Sequence, residues 1–381
     1  MKRARRLAVR SLLGLLAVAL SMVVAELAAL GWLHWIAGDD AFRKYASIDE
    51  LRARYGEFER LRTHRHLGYA PAPGYRKGAN RHNAFGCRGD EIERAKRPGT
   101  LRVVFCGGST TYGEGIEDHL QTMPFLVQQR LRDEGVDVEV VNAGCPGWTT
   151  LETLINFETR LLDLAPDCAV VTHGINDVLP RLVWPHDAYR GDWSGWLCRD
   201  EPVRTASLLE RSALAWIMMI ARGGLEPHGS MLRIIGDVPS TSFTFGFRGQ
   251  RQLGIYPAGV FREVPVERML EVNRPVYFER NLRNLIAVAK SNGVRVVLAT
   301  FAYGSDWPSQ PYIGHPAIRS AIDETNSIVR RLAAAAGVSL LDIAPSLTDR
   351  ELFTDGVHFT VAGERRRAEL TAPVLSAVLR Q

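Results

Sequence analysis

The chain is 381 residues long, with 46% apolar and 23% charged residues, which is enough for a sizeable core and ordinary for a globular protein. Its formal charge of +5 sits at one end: Lys2, Arg3, Arg5, Arg6 and Arg10 supply five positives and the remaining residues are neutral. A neutral remainder excludes the basic surface that nucleic-acid binding needs. The scattered Cys87, Cys106, Cys145, Cys168 and Cys198 contain no C-x-x-C pair, which excludes a zinc knuckle or a disulfide framework. They read as small buried apolar residues with at most one disulfide among them.

The basic cluster is followed by SLLGLLAVALSMVVAELAALGWLHWIAG, residues 11–38, in which Glu26 is the one formal charge. About 20 apolar residues span a bilayer, so this segment is long enough. Trp32 and Trp35 lie at its far end, where aromatic rings favour the interface, and the positive-inside rule keeps residues 1–10 in the cytoplasm. The expectation is a single-pass signal anchor in the inner membrane, with the rest of the chain on the extracytoplasmic side; a cleaved signal peptide is the competing reading. Glu26 reads either as a mark for a partner helix or as a carboxyl that is protonated or near water.

Residues 39–65 carry helical spacing in Ile48, Leu51, Tyr55, Phe58 and Leu61 and are expected to form a stalk helix. Residues 66–92, rich in Gly, Pro and Asn, should be turns and short extended pieces, with no evident chemical role. Three domains follow: 1–38 as the basic end and anchor, 39–100 as stalk and extension, and 101–381 as the catalytic domain, with an insertion at about 180–270.

From residue 101 short apolar runs alternate with amphipathic stretches. Strands are predicted at 101–106, 138–142, 168–172, 294–300 and 338–343. Helices are predicted near 122–134, 149–163, 205–221, 277–291, 316–336 and 361–379. Strands that are apolar throughout mean a sheet covered on both faces. The fold class is therefore α/β, a three-layer α/β/α sandwich with a mainly parallel five-stranded sheet, preceded by one transmembrane helix.

In open α/β sheets ligands bind beyond the carboxyl ends of the strands. GGSTTYGEG with Ser109 follows the first strand, NAGCPG with Gly144 the second, and THGINDV with Asn176 the third; DGVHFTVAG with Asp355 and His358 lies between the fifth strand and the last helix. Acyl transfer uses these residue types together. A serine hydroxyl needs a base, for which His358 has a suitable pKa, and Asp355 can fix its tautomer. Backbone N–H groups of Ser109 and Gly144 and the Asn176 amide form a candidate oxyanion hole. No Lys follows the glycines as a phosphate-binding loop requires. His64 and His66 have nothing near to complete a metal site, and neither metal nor cofactor is expected.

These four blocks, in this order, resemble the SGNH hydrolase superfamily, the GDSL-like lipases and esterases, over residues 101–379. The resemblance implies a flavodoxin-like fold, a Ser109–His358–Asp355 triad, and an oxyanion hole of Ser109, Gly144 and Asn176. One departure is Gly107-Gly108-Ser109, where the family usually has Gly-Asp-Ser. Asp177 is expected to brace the Asn176 loop. His173 and, in the insertion, Trp184, Trp193 and Trp196 are candidates for substrate contact, with packing as the alternative for each. The resemblance implies ester hydrolysis on an acylated envelope lipid, glycan or small ester, with membrane or polysaccharide-export partners. O-acyl transfer to an exported polysaccharide is the alternative, and a non-catalytic glycan-binding module a third reading.

Overall fold

The computed structural model describes residues 2–46, 50, 54, 60–64, 66–184, 186–193, 212–222, 264–310 and 312–381. They fall into two compact units, Met1–Glu57 with Asp200–Ile235, and Phe58–Arg199 with Gly236–Gln381.

In the first unit the helix Lys2–Gly31 runs on into a π-helical turn, Trp32–Ile36. Its stretch Val9–Ile36 is 28 residues long and apolar enough to cross a membrane, and its most apolar window has no buried residue. Gly38, in an extended conformation, separates it from a second helix, Asp39–Tyr45. Leu33, Phe42 and Ala46 pack together there. The Glu26 carboxylate accepts hydrogen bonds from the Ser212 hydroxyl (2.6 Å) and from the N–H groups of Ala213 (2.6 Å) and Leu214 (3.2 Å). It thus caps the apolar helix Ala213–Ala221, whose first-turn donors have no partner within the helix. The partner that Glu26 marks is a helix of its own chain. This helix is also the described part of the one expected near 205–221.

The stalk helix expected over 39–65 needs correction. It is helical at Asp39–Tyr45, but Leu61–His64 is a strand paired antiparallel with Gly68–Pro71. Leu61 is fully buried in that hairpin, so tertiary packing overrides the helical spacing.

The second unit is built on five parallel strands: β1 Leu101–Gly107, β2 Val138–Asn142, β3 Cys168–Thr172, β4 Arg295–Ala299 and β5 Ser339–Leu341, in the spatial order β2-β1-β3-β4-β5. This is the flavodoxin-like order, with its topological switch point between β1 and β3. Five helices cover the sheet: α1 Met123–Asp133, α2 Thr150–Asn156, α3 Val276–Ser291, α4 Pro316–Ala336 and α5 Val361–Leu379. The period of two along each strand divides the core. Val104, Cys106, Ala169, Val171, Val296 and Leu298 face α3 and α4, while Val103, Phe105, Val138, Val140, Val170 and Val297 face α1 and α5. The helix expected over 149–163 is α-helical only to Asn156, then continues through a π-turn, Phe157–Leu161, and a 3-10 turn, Leu162–Leu164.

Candidate active site

Ser109 opens a four-residue helix, Ser109–Tyr112, directly after β1. Its hydroxyl lies 2.9 Å from Nε2 of His358, and Nδ1 of His358 lies 2.7 Å from Oδ2 of Asp355. The second oxygen of Asp355 accepts from the N–H groups of Val357 (2.9 Å) and His358 (2.7 Å), so the loop that carries the imidazole also anchors its carboxylate. Burial alone would raise the Asp355 carboxyl, but the His358 hydrogen bond and charge, with the two N–H groups, outweigh it and hold it at about 2. Burial would likewise lower His358; hydrogen bonding to Asp355 and the charges of Asp355, Glu114 and Glu364 outweigh it and raise the imidazole above 6.5.

Asn176 lies in the short helix Ile175–Val178 after β3. Its side-chain N–H2 donates one hydrogen bond to the Trp148 carbonyl (3.0 Å), leaving a second donor. It lies over Gly108: a Cβ there would be 2.6 Å from Asn176 Nδ2. A side chain at 108 would therefore require the Asn176 amide to shift from this place. Gly144 is as tightly placed, since a Cβ on it would lie 2.3 Å from the Tyr112 nitrogen. Its own N–H is bound to Oδ1 of Asn142 (3.1 Å). The structure therefore brings Ser109, His358, Asp355, Asn176 and Gly144 to one edge of the sheet, with the Gly144 donor already engaged.

Asp177 braces this arrangement. It is buried, and its Oδ1 accepts from the N–H (2.9 Å) and hydroxyl (2.6 Å) of Thr150 at the start of α2. Burial pushes its carboxyl up to about 8. Of the two readings of His173, substrate contact and packing, the structure shows packing. The imidazole is buried, bonded through Nε2 to the Thr153 hydroxyl (2.8 Å), and pushed down to about 3 by burial. Trp193 is likewise buried and donates to the Gly147 carbonyl (2.6 Å), and Trp184 packs on the same apolar cluster. Trp196 and most of the insertion, 194–211 and 223–263, lie outside the described residues. Cys87, Cys106, Cys145 and Cys168 are free and buried.

Sequence reading gave residues 66–92 no role, yet they reach the nucleophile turn. His82 Nδ1 meets the Ala72 carbonyl (2.9 Å) and its Nε2 the Tyr112 hydroxyl (2.9 Å), with Asn80 donating to the same hydroxyl (3.0 Å). His82, pushed down to about 3 by burial, is neutral, so its Nδ1 donates and the Tyr112 hydroxyl donates to Nε2. Arg60 pairs with Glu114 at 2.8 Å. Tyr69 donates to the Pro146 carbonyl (2.8 Å) and accepts at its own carbonyl from the Trp148 indole (3.1 Å). A cavity of about 240 Å³ lies among Arg60, Tyr75, Lys77, Asn80, Tyr112 and Glu117. The signal for these contacts is absent from one sequence, because the partners on the two sides lie 30 or more residues apart, His82 and Ala72 excepted.

The model of the GDSL-like Lipase/Acylhydrolase family matches residues 105–366. Among solved structures, the lipase/acylhydrolase from Enterococcus faecalis is similar at 18% identity over 73% of this chain and 96% of that one, with a TM-score of 0.41. A member of the lipolytic protein G-D-S-L family from Veillonella parvula DSM 2008 is similar at 13% identity over 73% and 98%, with a TM-score of 0.41. The acetyl xylan esterase AlAXEase is similar at 18% identity over 73% and 100%, with a TM-score of 0.40. No curated protein matches the chain.

Proposed function

Because the chain belongs to the GDSL-like lipase/acylhydrolase family, we propose that it is a serine-dependent ester hydrolase in which Ser109, His358 and Asp355 act as one unit. The observation that carries this reading is the unbroken hydrogen-bonded chain from the Ser109 hydroxyl through His358 to Asp355. His358 Nε2 takes the proton as Ser109 Oγ attacks the acyl carbonyl. The tetrahedral oxyanion is met by the Ser109 N–H and the second hydrogen of the Asn176 amide, with Gly144 N–H shared between it and Asn142. Collapse expels the alcohol, which leaves with the proton from His358. Water then attacks the acyl-enzyme by the same relay, releasing the acid and restoring Ser109.

The helix Val9–Ile36, long and apolar enough to cross a membrane, supports a further proposal. It anchors the enzyme in the inner membrane, with the catalytic unit extracytoplasmic, where acylated lipids and glycans are its substrate class. Full-length protein in detergent should hydrolyse p-nitrophenyl acetate, and Ser109→Ala and His358→Ala should each return the rate to background. Activity surviving in Ser109→Ala sinks the serine mechanism. A folded wild type that transfers acetyl to a sugar but releases no acetate would move the assignment to O-acyltransferase. One that does neither would fit a glycan-binding module.

A further inference from the structure

The Ser109 turn is gripped by two buried arginines that its chemistry does not use. Arg88, 1% exposed, comes from the segment preceding the family match. Its guanidinium donates to the carbonyls of Tyr112 (2.8 Å), Gly113 (2.7 Å), Ile116 and Glu117 (3.1 Å), and lies 4.6 Å over the Tyr112 ring. Arg367, also 1% exposed, comes from α5, the helix that follows His358. It donates to the Thr110 carbonyl (2.8 Å) and lies 4.5 Å over the ring of Phe359, the neighbour of His358. Between them Glu364, 1% exposed as well, accepts from Arg367 (3.0 Å) and from the Met123 N–H at the start of α1 (2.6 Å).

Taking three charges out of water is costly, and a well-packed apolar cluster would often serve stability as well or better. What such a cluster does not supply is a rigid fork of donors. The last carbonyls of a four-residue helix have no partners within it, and here the arginines satisfy them. They also present positive charge to the carbonyl end of that helix while Ser109 occupies its N–H end. Resting on the reading of Ser109 as nucleophile, we propose that Arg88 and Arg367, the latter paired with Glu364, are positioning residues that hold the Ser109 hydroxyl in register with His358. The segment before residue 101 is thereby a working part of the active site.

The test compares full-length wild type, Arg88→Lys, Arg367→Lys and the double variant Glu364→Gln/Arg367→Met. The double variant removes both members of the Arg367–Glu364 ion pair together and leaves Arg88 on its carbonyls. Folding is followed by thermal melting and near-ultraviolet circular dichroism, and serine reactivity by the rate of covalent labelling of Ser109 with a fluorophosphonate. Hydrolysis of p-nitrophenyl acetate separates kcat from KM. A displacement of about 1 Å at a reacting group can cost on the order of 100-fold. The expected result is therefore a folded double variant, and a folded Arg88→Lys, that label at least about 10-fold more slowly, with kcat reduced and KM within about twofold. Wild-type labelling and kcat in both folded variants would overturn the proposal and leave the arginines a purely structural role. If both variants fail to fold, Arg367→Lys decides by the same readings, since it keeps the charge beside Glu364 and removes the planar fork that reaches the Thr110 carbonyl. Labelling needs no natural substrate, so a wild type that labels at Ser109 but hydrolyses no ester would count against the esterase assignment and not against this one.

Discussion

On the proposed mechanism His358 acts as a base only when neutral, so its pKa sets the acid limb of activity. The Asp355 hydrogen bond and charge, then Glu114 and Glu364, favour the imidazolium and lift the pKa above 6.5. The sign follows: kcat/KM should fall as pH drops through a midpoint above 6.5, and Glu114→Gln should move that midpoint towards acid. A pH–rate profile with its acid midpoint below 6.5, or unmoved in Glu114→Gln, would refute this account. The same pair bears on stability in opposite directions. Asp355, held at about 2 against 3.8, contributes stability above 3.8 that is lost as pH falls towards 2. His358, raised above 6.5, contributes stability below 6.5 that is lost as pH rises through its folded value. The nucleophile, the base and the acid were legible as residues because each falls in a short motif after a strand. Arg88 and Arg367 were not, because nothing local distinguishes a buried arginine from a solvated one.

At the scale of elements, the turns after β1 and β3 are fitted to each other through one atom pair. A Cβ at position 108 would come within 2.6 Å of Asn176 Nδ2, although Gly108, at φ −85°, has a backbone that any residue tolerates. The constraint is therefore space and not conformation. Asn176→Ala should lower kcat by roughly 10²–10³, about 3–4 kcal/mol, with the melting temperature nearly unchanged. Gly108→Ala should lose activity in the same direction by pushing the amide aside. The double variant should be no worse than Asn176→Ala alone, because both changes remove one donor. Additive losses in kcat would show that Gly108 acts through something other than Asn176. The strands were readable from their apolar runs because a sheet covered on both faces needs no alternation. The strand Leu61–His64 was misread as helix, since four residues fit either periodicity and only the partner strand Gly68–Pro71, itself expected as extended chain, decides.

At the scale of the molecule, the family core and the segment before it form one compact unit from residue 58, while the apolar N-terminal helix belongs to the other. On the anchored reading, full-length protein in cells should sediment with membranes and resist alkaline extraction, and a chain starting at residue 39 should not. Release of the full-length protein by alkaline wash would remove the anchor proposal. Glu26 tempers the apolar span, and its hydrogen bonds to Ser212, Ala213 and Leu214 satisfy a carboxylate and a helix start together.

By itself the sequence determined the α/β class, the five strands and their covering helices, the four motif blocks and the apolar N-terminal helix. Each rests on local information: periodicity, turn residues and short spacings. Only the tertiary structure decided the rest. It buried His173 and Trp193, packed Trp184 on the same cluster as Trp193, gave the Gly144 N–H to Asn142, and fitted Gly108 to Asn176. It also closed Arg88, Glu364 and Arg367 around the nucleophile turn. Those outcomes depend on which distant segments meet, and burial and hydrogen-bond satisfaction are properties of that meeting, not of any residue's own neighbourhood in the chain.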